Sequence, residues 1–407
     1  MRSEGRDPKS AGPQWFGGPP SAFGFRPSFG LRPSELVTCS RLWEVILLVW
    51  ALVVSGCGGG PGPPGPPAGG AEARPLAGLA SKDLVQELAL GRDRPEAARE
   101  IGRRRLHDDV PFLRKYTKDD DAAVRAACVW ALGEIGDQES AMGLRWRLDD
   151  DVPHVRAAAC QALARLPPEE PNLKGILKVL PDSSAEVRLA AVQALGTMAD
   201  DARAVRGLVT ALSDEEPAVY RAAMKELLRV GKPAVSALGD AAPCDPPHHR
   251  DGRGEAACVL AGIGGPETAP ALVNLLVRVC GRGPLPEASR PARQAILDAL
   301  VALGEPAIRE LDRQVVQKSG GDLLPAKHAA AEVFVRLGKP AVPAVARRIL
   351  AWQVFPSREE LLLWIRTLGR IGDPEAVPAL RHAEPQMGAG IKEAVAEALR
   401  QIEAKSK

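Results

Sequence analysis

The residues through which this chain could do metal, nucleophilic or acid–base chemistry are few. There are six histidines (His107, His154, His248, His249, His328 and His382) and seven cysteines among 407 residues. They gather in one place only, at Cys244, Asp245, His248 and His249, with Cys258 further on. Thiolate, imidazole and carboxylate ligands suit zinc. Yet Pro243, Pro246 and Pro247 make the segment a turn, Cys258 falls on a predicted helix, and the spacing matches no standard zinc pattern. Metal ligation is not expected there, and no cofactor is expected elsewhere. The chain also lacks H-E-x-x-H, G-x-x-x-x-G-K-[ST], C-x-x-C and G-x-S-x-G, the arrangements that would mark a zinc protease, a nucleotide-binding loop, a redox dithiol or a serine nucleophile. Cys128 and Cys160 occupy nearly the same place in two similar helices and read as small packing residues. An enzyme is therefore not expected.

Charge narrows the partners. Residues 1–56 hold six Lys/Arg and four Asp/Glu, and removing them from the chain's 53 and 51 leaves 47 of each. Nucleic-acid binders rely on a basic excess that neutralises phosphates, so no nucleic acid is expected. Aromatic residues make up only 4% of the chain. A core of Ala, Leu and Val suits closely stacked helices better than a broad sheet.

The N-terminal region divides into three. Residues 1–40 show no helical period and hold Phe16, Phe23, Phe25 and Phe29 among Gly and Pro. They are either a disordered extension or a product of a start assigned too early. Residues 41–57 run from Arg41 through the apolar Leu42–Val54 to Ser55, Gly56 and Cys57. A basic residue, a short apolar run and small residues describe a secretory signal, and the run falls short of the ~20 apolar residues a spanning helix needs. Val54-Ser55-Gly56-Cys57 resembles the lipobox of bacterial lipoproteins, which implies lipidation of Cys57 and a membrane anchor in the bacterial cell envelope; a cytoplasmic location is the alternative. Residues 58–76, Gly- and Pro-rich, form a tether that cannot pack a core.

The rest of the chain, residues 77–407, is repetitive. Related segments end at Gly136, Pro167, Ala199, Gly231, Gly264, Gly304, Gly338 and Gly372, at spacings of 31, 32, 32, 33, 40, 34 and 34 residues. Four positions before each end stand Leu132, Leu163, Leu195, Leu227, Leu260, Leu300, Phe334 and Leu368, and the position before each end is apolar too. Positions three apart share a helix face, so each segment predicts a helix with one buried stripe. A terminal Gly suits a left-handed C-cap, and the Pro-Ala pairs just beyond, at 233–234, 306–307 and 340–341, suit the start of a second helix. The units predict antiparallel helical hairpins, about nine of them, stacked into an all-α superhelix, or solenoid.

The motif Asp, Val-Arg, then Ala-Leu-Gly-x-Ile-Gly-Asp appears at Asp121/Val124/Arg125, Asp151/Val155/Arg156 and Asp182/Val187/Arg188. It resembles the HEAT-like repeats first described in phycobilisome lyases. That resemblance implies an α-solenoid, and it brings in a bilin-lyase-like subunit as the chief alternative to a binding scaffold; a cytosolic nucleic-acid-binding solenoid is the other. HEAT-repeat hydroxylases with a di-iron centre use His-Glu dyads, and no His here precedes a Glu. The repeated Arg reads as structural, pairing with an inter-helix Asp from unit to unit.

In such arrays the second helix of each hairpin is expected to line the concave face. Six residues before each end lie Trp130, Gln161, Gln193, Lys225, Cys258, Asp298, Glu332 and Arg366; two before it lie Glu134, Arg165, Thr197, Arg229, Gly262, Ala302, Arg336 and Arg370. Being four apart, the two rows predict one exposed strip on which a protein or peptide partner binds. Trp130, Lys225 and Arg229 are its expected anchors, since Trp and Arg are enriched among binding hot spots.

Overall fold

The structure, a computed structural model, describes residues 76–406 apart from 242–250, 282–286, 319–322, 352–356 and 384–388. Cys57, the lipobox and the Cys244–His249 cluster lie outside the described residues. Twenty α-helices alternate as first and second members of ten hairpins: α1 (Ser81–Leu90) with α2 (Arg94–Arg103), α3 (Val110–Tyr116) with α4 (Ala122–Ile135), α5 (Ala141–Trp146) with α6 (Pro153–Arg165), and α7 (Glu170–Lys178) with α8 (Ala185–Thr197). Next come α9 (Ala202–Ala211) with α10 (Pro217–Val230), α11 (Val235–Gly239) with α12 (Arg253–Ile263), and α13 (Ala269–Cys280) with α14 (Arg290–Leu303). Last are α15 (Glu305–Leu311) with α16 (Leu324–Leu337), α17 (Val342–Leu350) with α18 (Arg358–Ile371), and α19 (Val377–Ala383) with α20 (Ala389–Ser406). The described residues contain no strand. The fold is the expected solenoid.

The described residues make ten hairpins, where about nine are expected. The one missed is the first, because α2 ends at Arg103-Arg104-Arg105 with no glycine; Arg105 itself takes the left-handed conformation, φ 52°. The expected left-handed cap forms at Gly136, φ 81°, and Gly372, φ 76°, each N–H closing on the Leu carbonyl four residues back, whereas Gly231, Gly264, Gly304 and Gly338 share the positive φ but turn to an extended ψ. The eight-residue row from Leu132 to Leu368 is at most 1% exposed throughout. Second helices of successive hairpins lie directly against one another, so each supplies the apolar cover the next one lacks.

How closely they lie is set by small residues. A Cβ placed on Gly133 of α4 would sit 2.5 Å from Ala162 Cα of α6, and one on Gly102 of α2 would sit 2.7 Å from Ala131 Cα. In a free helix Gly→Ala is a gain of roughly 0.5–1 kcal/mol. Here the added methyl meets backbone, so Gly133→Ala is expected to lose about 1–3 kcal/mol instead. A lowered Tm in thermal unfolding checks it; a raised Tm would show that the helices are free to part.

Second helices are tied together by ion pairs as well. Arg125 spans from the turn before its own helix, donating to the Asp119 and Asp120 carbonyls, to Asp150 in the next hairpin at 2.7 Å. Arg156 reaches Asp182 and Arg188 reaches Asp214 in the same way, each at 2.7 Å, and Arg94 begins the series at Asp119. The expected structural role of this arginine holds: Arg125 reaches the expected Asp151 at 2.8 Å as well as Asp150, while the acceptor of Arg94 is Asp119, earlier in the turn than Asp121. Each acceptor aspartate also receives the backbone N–H two residues on (Asp121, Val152, Ser184 and Glu216), which orients it before the guanidinium arrives. Further along, the same register holds Tyr220, Arg253, Arg293 and Lys327. Arg293 pairs with Glu332 at 2.6 Å and Lys327 with Glu360 at 2.8 Å, again in the following hairpin.

Candidate functional site

Between the buried row and the ion-pair row, the second helices leave one face open. Gln161, Arg165, Gln193, Lys225, Arg229, Arg336, Arg366 and Arg370 are exposed on it, and Glu134 is half-buried. These residues share a face because they recur at four-residue spacing on helices stacked in register. Trp130 differs from expectation. Its ring is half-buried, packs on the core and lies against Gly102, so most of it belongs to the α2–α4 contact.

Much of the charge on this face is matched internally. Arg165 pairs with Glu134 at 2.8 Å, and Arg336 pairs with Asp298 at 2.7 Å, each joining neighbouring second helices. Arg229 pairs with Glu226 at 2.8 Å and also donates to the Gly196 carbonyl of α8. Shallow grooves run between the helices. One of about 370 Å³ lies between α6 and α8 and is lined by Gln161, Arg165, Gln193 and Thr197. Another, of about 490 Å³, lies between α16 and α18 beside His328, Glu332, Arg366 and Arg370, and a third of about 390 Å³ continues past Arg366 and Arg370 to Glu393 and Glu397 of α20.

Among the described residues every cysteine has its thiol pKa raised. Burial pushes the Cys160 thiol up to about 12 and the Cys128 thiol higher still. Both are therefore protonated packing residues, as expected. Exposed Cys258 has its thiol pKa raised by burial and by the nearby Glu255 and Asp298 carboxylates, opposite to what a reactive thiol needs. Among the described residues no group of three or more His, Cys, Asp or Glu could hold a metal.

Two features escaped the sequence reading. Trp146 of α5 is 54% exposed with Met142 beside it at 55%, and Lys118 Nζ sits 5.8 Å from the Trp146 ring centroid. Their i,i+4 spacing on a helix would have placed them together, but neither falls in the repeated rows. Lys327, Arg348, Glu360 and Trp364 form a buried polar cluster, each at most 3% exposed. Its one visible clue is Lys327, which stands in the register of the repeated Arg.

The family of HEAT repeats matches residues 82–166 and 173–251, and the PBS lyase HEAT-like repeat matches residues 252–278 and 365–383. The chain belongs to the HEAT-like repeat family. No curated protein sequence matches the chain. Among solved structures it is similar to the complex of CpcE and CpcF of phycocyanin lyase from Nostoc sp. PCC7120, at 19% identity and TM-score 0.35 over 62% of this chain and 98% of that one. It is also similar to Kap95p in its structure with RanGDP, at 12% identity and TM-score 0.40 over 79% of this chain and 50% of that one. Human deoxyhypusine hydroxylase, in complex with glycerol, aligns at 19% identity and TM-score 0.26 over 75% of this chain and 99% of that one. At such values no activity passes from these proteins to this array.

Proposed function

We propose that this HEAT array is a non-catalytic scaffold that holds a protein or peptide partner along its second-helix face, the face expected to be concave. The observation that carries this reading is the contrast within each second helix. One row, from Leu132 to Leu368, is sealed in the core, while the strip beside it is exposed, polar and varied, and is scored by shallow grooves. A solenoid needs the first row for stability; the second is free to serve recognition. Site-directed photo-crosslinking in the source cell tests this. A crosslinker at Gln193 or Arg366 is expected to capture a discrete partner, whereas one at Lys174 of α7 or Arg309 of α15, exposed positions on first helices, is not. Equal capture from both faces would end the proposal.

The array is further proposed to be lipid-anchored at Cys57, with residues 58–76 as the tether. The lipobox-like Val54-Ser55-Gly56-Cys57 supports this. No helix among the described residues is long and apolar enough to cross a membrane. Globomycin is expected to block processing, and Cys57→Ala to move the protein from the membrane to the soluble fraction. Unchanged fractionation would remove the anchor.

A further inference from the structure

We infer that the partner presents an acidic segment, and that this segment lies across α10, where Arg221, Lys225 and Arg229 form a cationic row. The inference rests on the scaffold reading above and names the chemistry of its partner. The three residues are four apart, so they stand in line along about 12 Å of one helix face, and all three are exposed. The register positions facing them on the neighbouring second helices carry no charge, although Glu255 of α12 stands close to Cys258. Arg221 lies over the Tyr220 ring at 5.8 Å, and Glu226 is the acid on α10 that answers the row, taking Arg229 at 2.8 Å. On α8 the facing positions are Leu189, Gln193 and Thr197; on α12 they are Gly254, Cys258 and Gly262. The Cys258 thiol stays protonated, as described above.

This differs from the rest of the strip. Glu134–Arg165, Asp298–Arg336 and Arg293–Glu332 cancel between neighbouring helices. The grooves beside Arg366 and Arg370 are also lined by Glu359, Glu393 and Glu397, so acids stand close to those cations. On α10 itself three cations meet one acid, near the middle of the array and beside α8, which lines the groove between α6 and α8. Gln161 and Gln193 line that groove, and their amides can pair with the backbone of an extended chain. A peptide fits these dimensions better than a nucleic acid. Three cations against one acid would neutralise only two phosphates or so, too few for useful affinity in salt, and the chain beyond residue 56 is balanced in charge.

The test is fluorescence anisotropy with the purified full chain and three probes. These are a labelled twelve-residue peptide of alternating Glu and Leu, the same peptide with Lys for Glu, and a twelve-nucleotide oligo-dT. The acidic peptide is expected to bind most tightly, weakening as salt rises. Arg221→Glu with Lys225→Glu should loosen it at least tenfold, and Arg221→Gln with Lys225→Gln by an intermediate amount; circular dichroism reports whether each variant is folded. Acidic and basic peptides binding alike, affinity untouched by charge reversal, or oligo-dT binding more tightly than the acidic peptide would each overturn the inference. If Gln193 crosslinking still captures a partner after one of those results, the scaffold reading stands and the acidic class alone falls.

Discussion

Glu360→Gln is expected to cost the array about 3–5 kcal/mol, the range for leaving a buried charge without its partner. The Glu360 Oε1 atom receives Arg348 Nη2 at 2.8 Å, has Lys327 Nζ at 2.8 Å, and lies 3.4 Å from Trp364 Nε1, so one carboxylate answers two buried cations from α16 and α17. Phe334 and Trp364, 6.2 Å apart, close the cluster from the apolar side. Lys327→Met should do the reverse. It removes the second cation, keeps Arg348 paired, and is expected to be neutral or stabilising by up to about 3 kcal/mol. Burial lowers the Lys327 pKa, against the opposing pull of Glu360. Between its lowered folded value and the unfolded value near ~10.4 the unfolded chain holds the extra proton, so stability rises with pH there. The advantage of Lys327→Met over wild type should therefore shrink between pH 7 and pH 10. Urea midpoints at both values check this, and a glutamine variant as stable as wild type would show that the cluster is not tightly enclosed.

The second large effect belongs to the ion-pair row. Arg125→Ala is expected to cost about 3 kcal/mol, because Asp150, whose side chain is 2% exposed, loses two hydrogen bonds at 2.7 and 3.0 Å and keeps only Arg147 and the Val152 N–H. Arg125→Ala with Asp150→Asn should recover part of the loss. The acid limb supplies a separate reading. Burial alone would raise the Asp150 pKa, but the Arg125 guanidinium and the Val152 N–H hold it below the ordinary carboxylate value. Asp182 is held low in the same way by Arg156 and the Ser184 N–H. Such groups stabilise the fold above the unfolded pKa near ~3.9, and that contribution disappears as pH falls through their lowered folded values. Arg125→Ala should therefore move the acid-unfolding midpoint to higher pH by circular dichroism. An unmoved midpoint would mean that the pair contributes nothing to acid resistance.

The helices were legible because their signals are local and repeated. A Leu or Phe four residues before each of eight repeat ends states the buried stripe, and the Gly at six of those ends states where the helix stops. The first hairpin was missed because Arg105, not Gly, takes the left-handed position that ends α2. The exposed strip was legible as a period, but the fate of each residue on it was not: Trp130 is partly consumed by packing on Gly102, which depends on how closely two helices approach. Ser357-Arg358-Glu359-Glu360 reads as a capping box in which Glu360 turns back to the helix start. Ser357 Oγ does accept the Glu360 N–H, at 3.2 Å, yet the carboxylate turns inward to two cations, Arg348 of its own hairpin and Lys327 of the preceding one. Long-range electrostatics of that kind has no local spelling.

Tyr220 stands where the neighbouring second helices carry a cation, so no guanidinium of that row crosses from the fifth hairpin to the sixth. Upstream of it, crossings from Arg94, Arg125, Arg156 and Arg188 tie each of the first four hairpins to the next, so loss of one cation there is felt by two units at once. Downstream, Arg253 closes instead on Asp251 of its own hairpin, and its loss would be felt first within that unit.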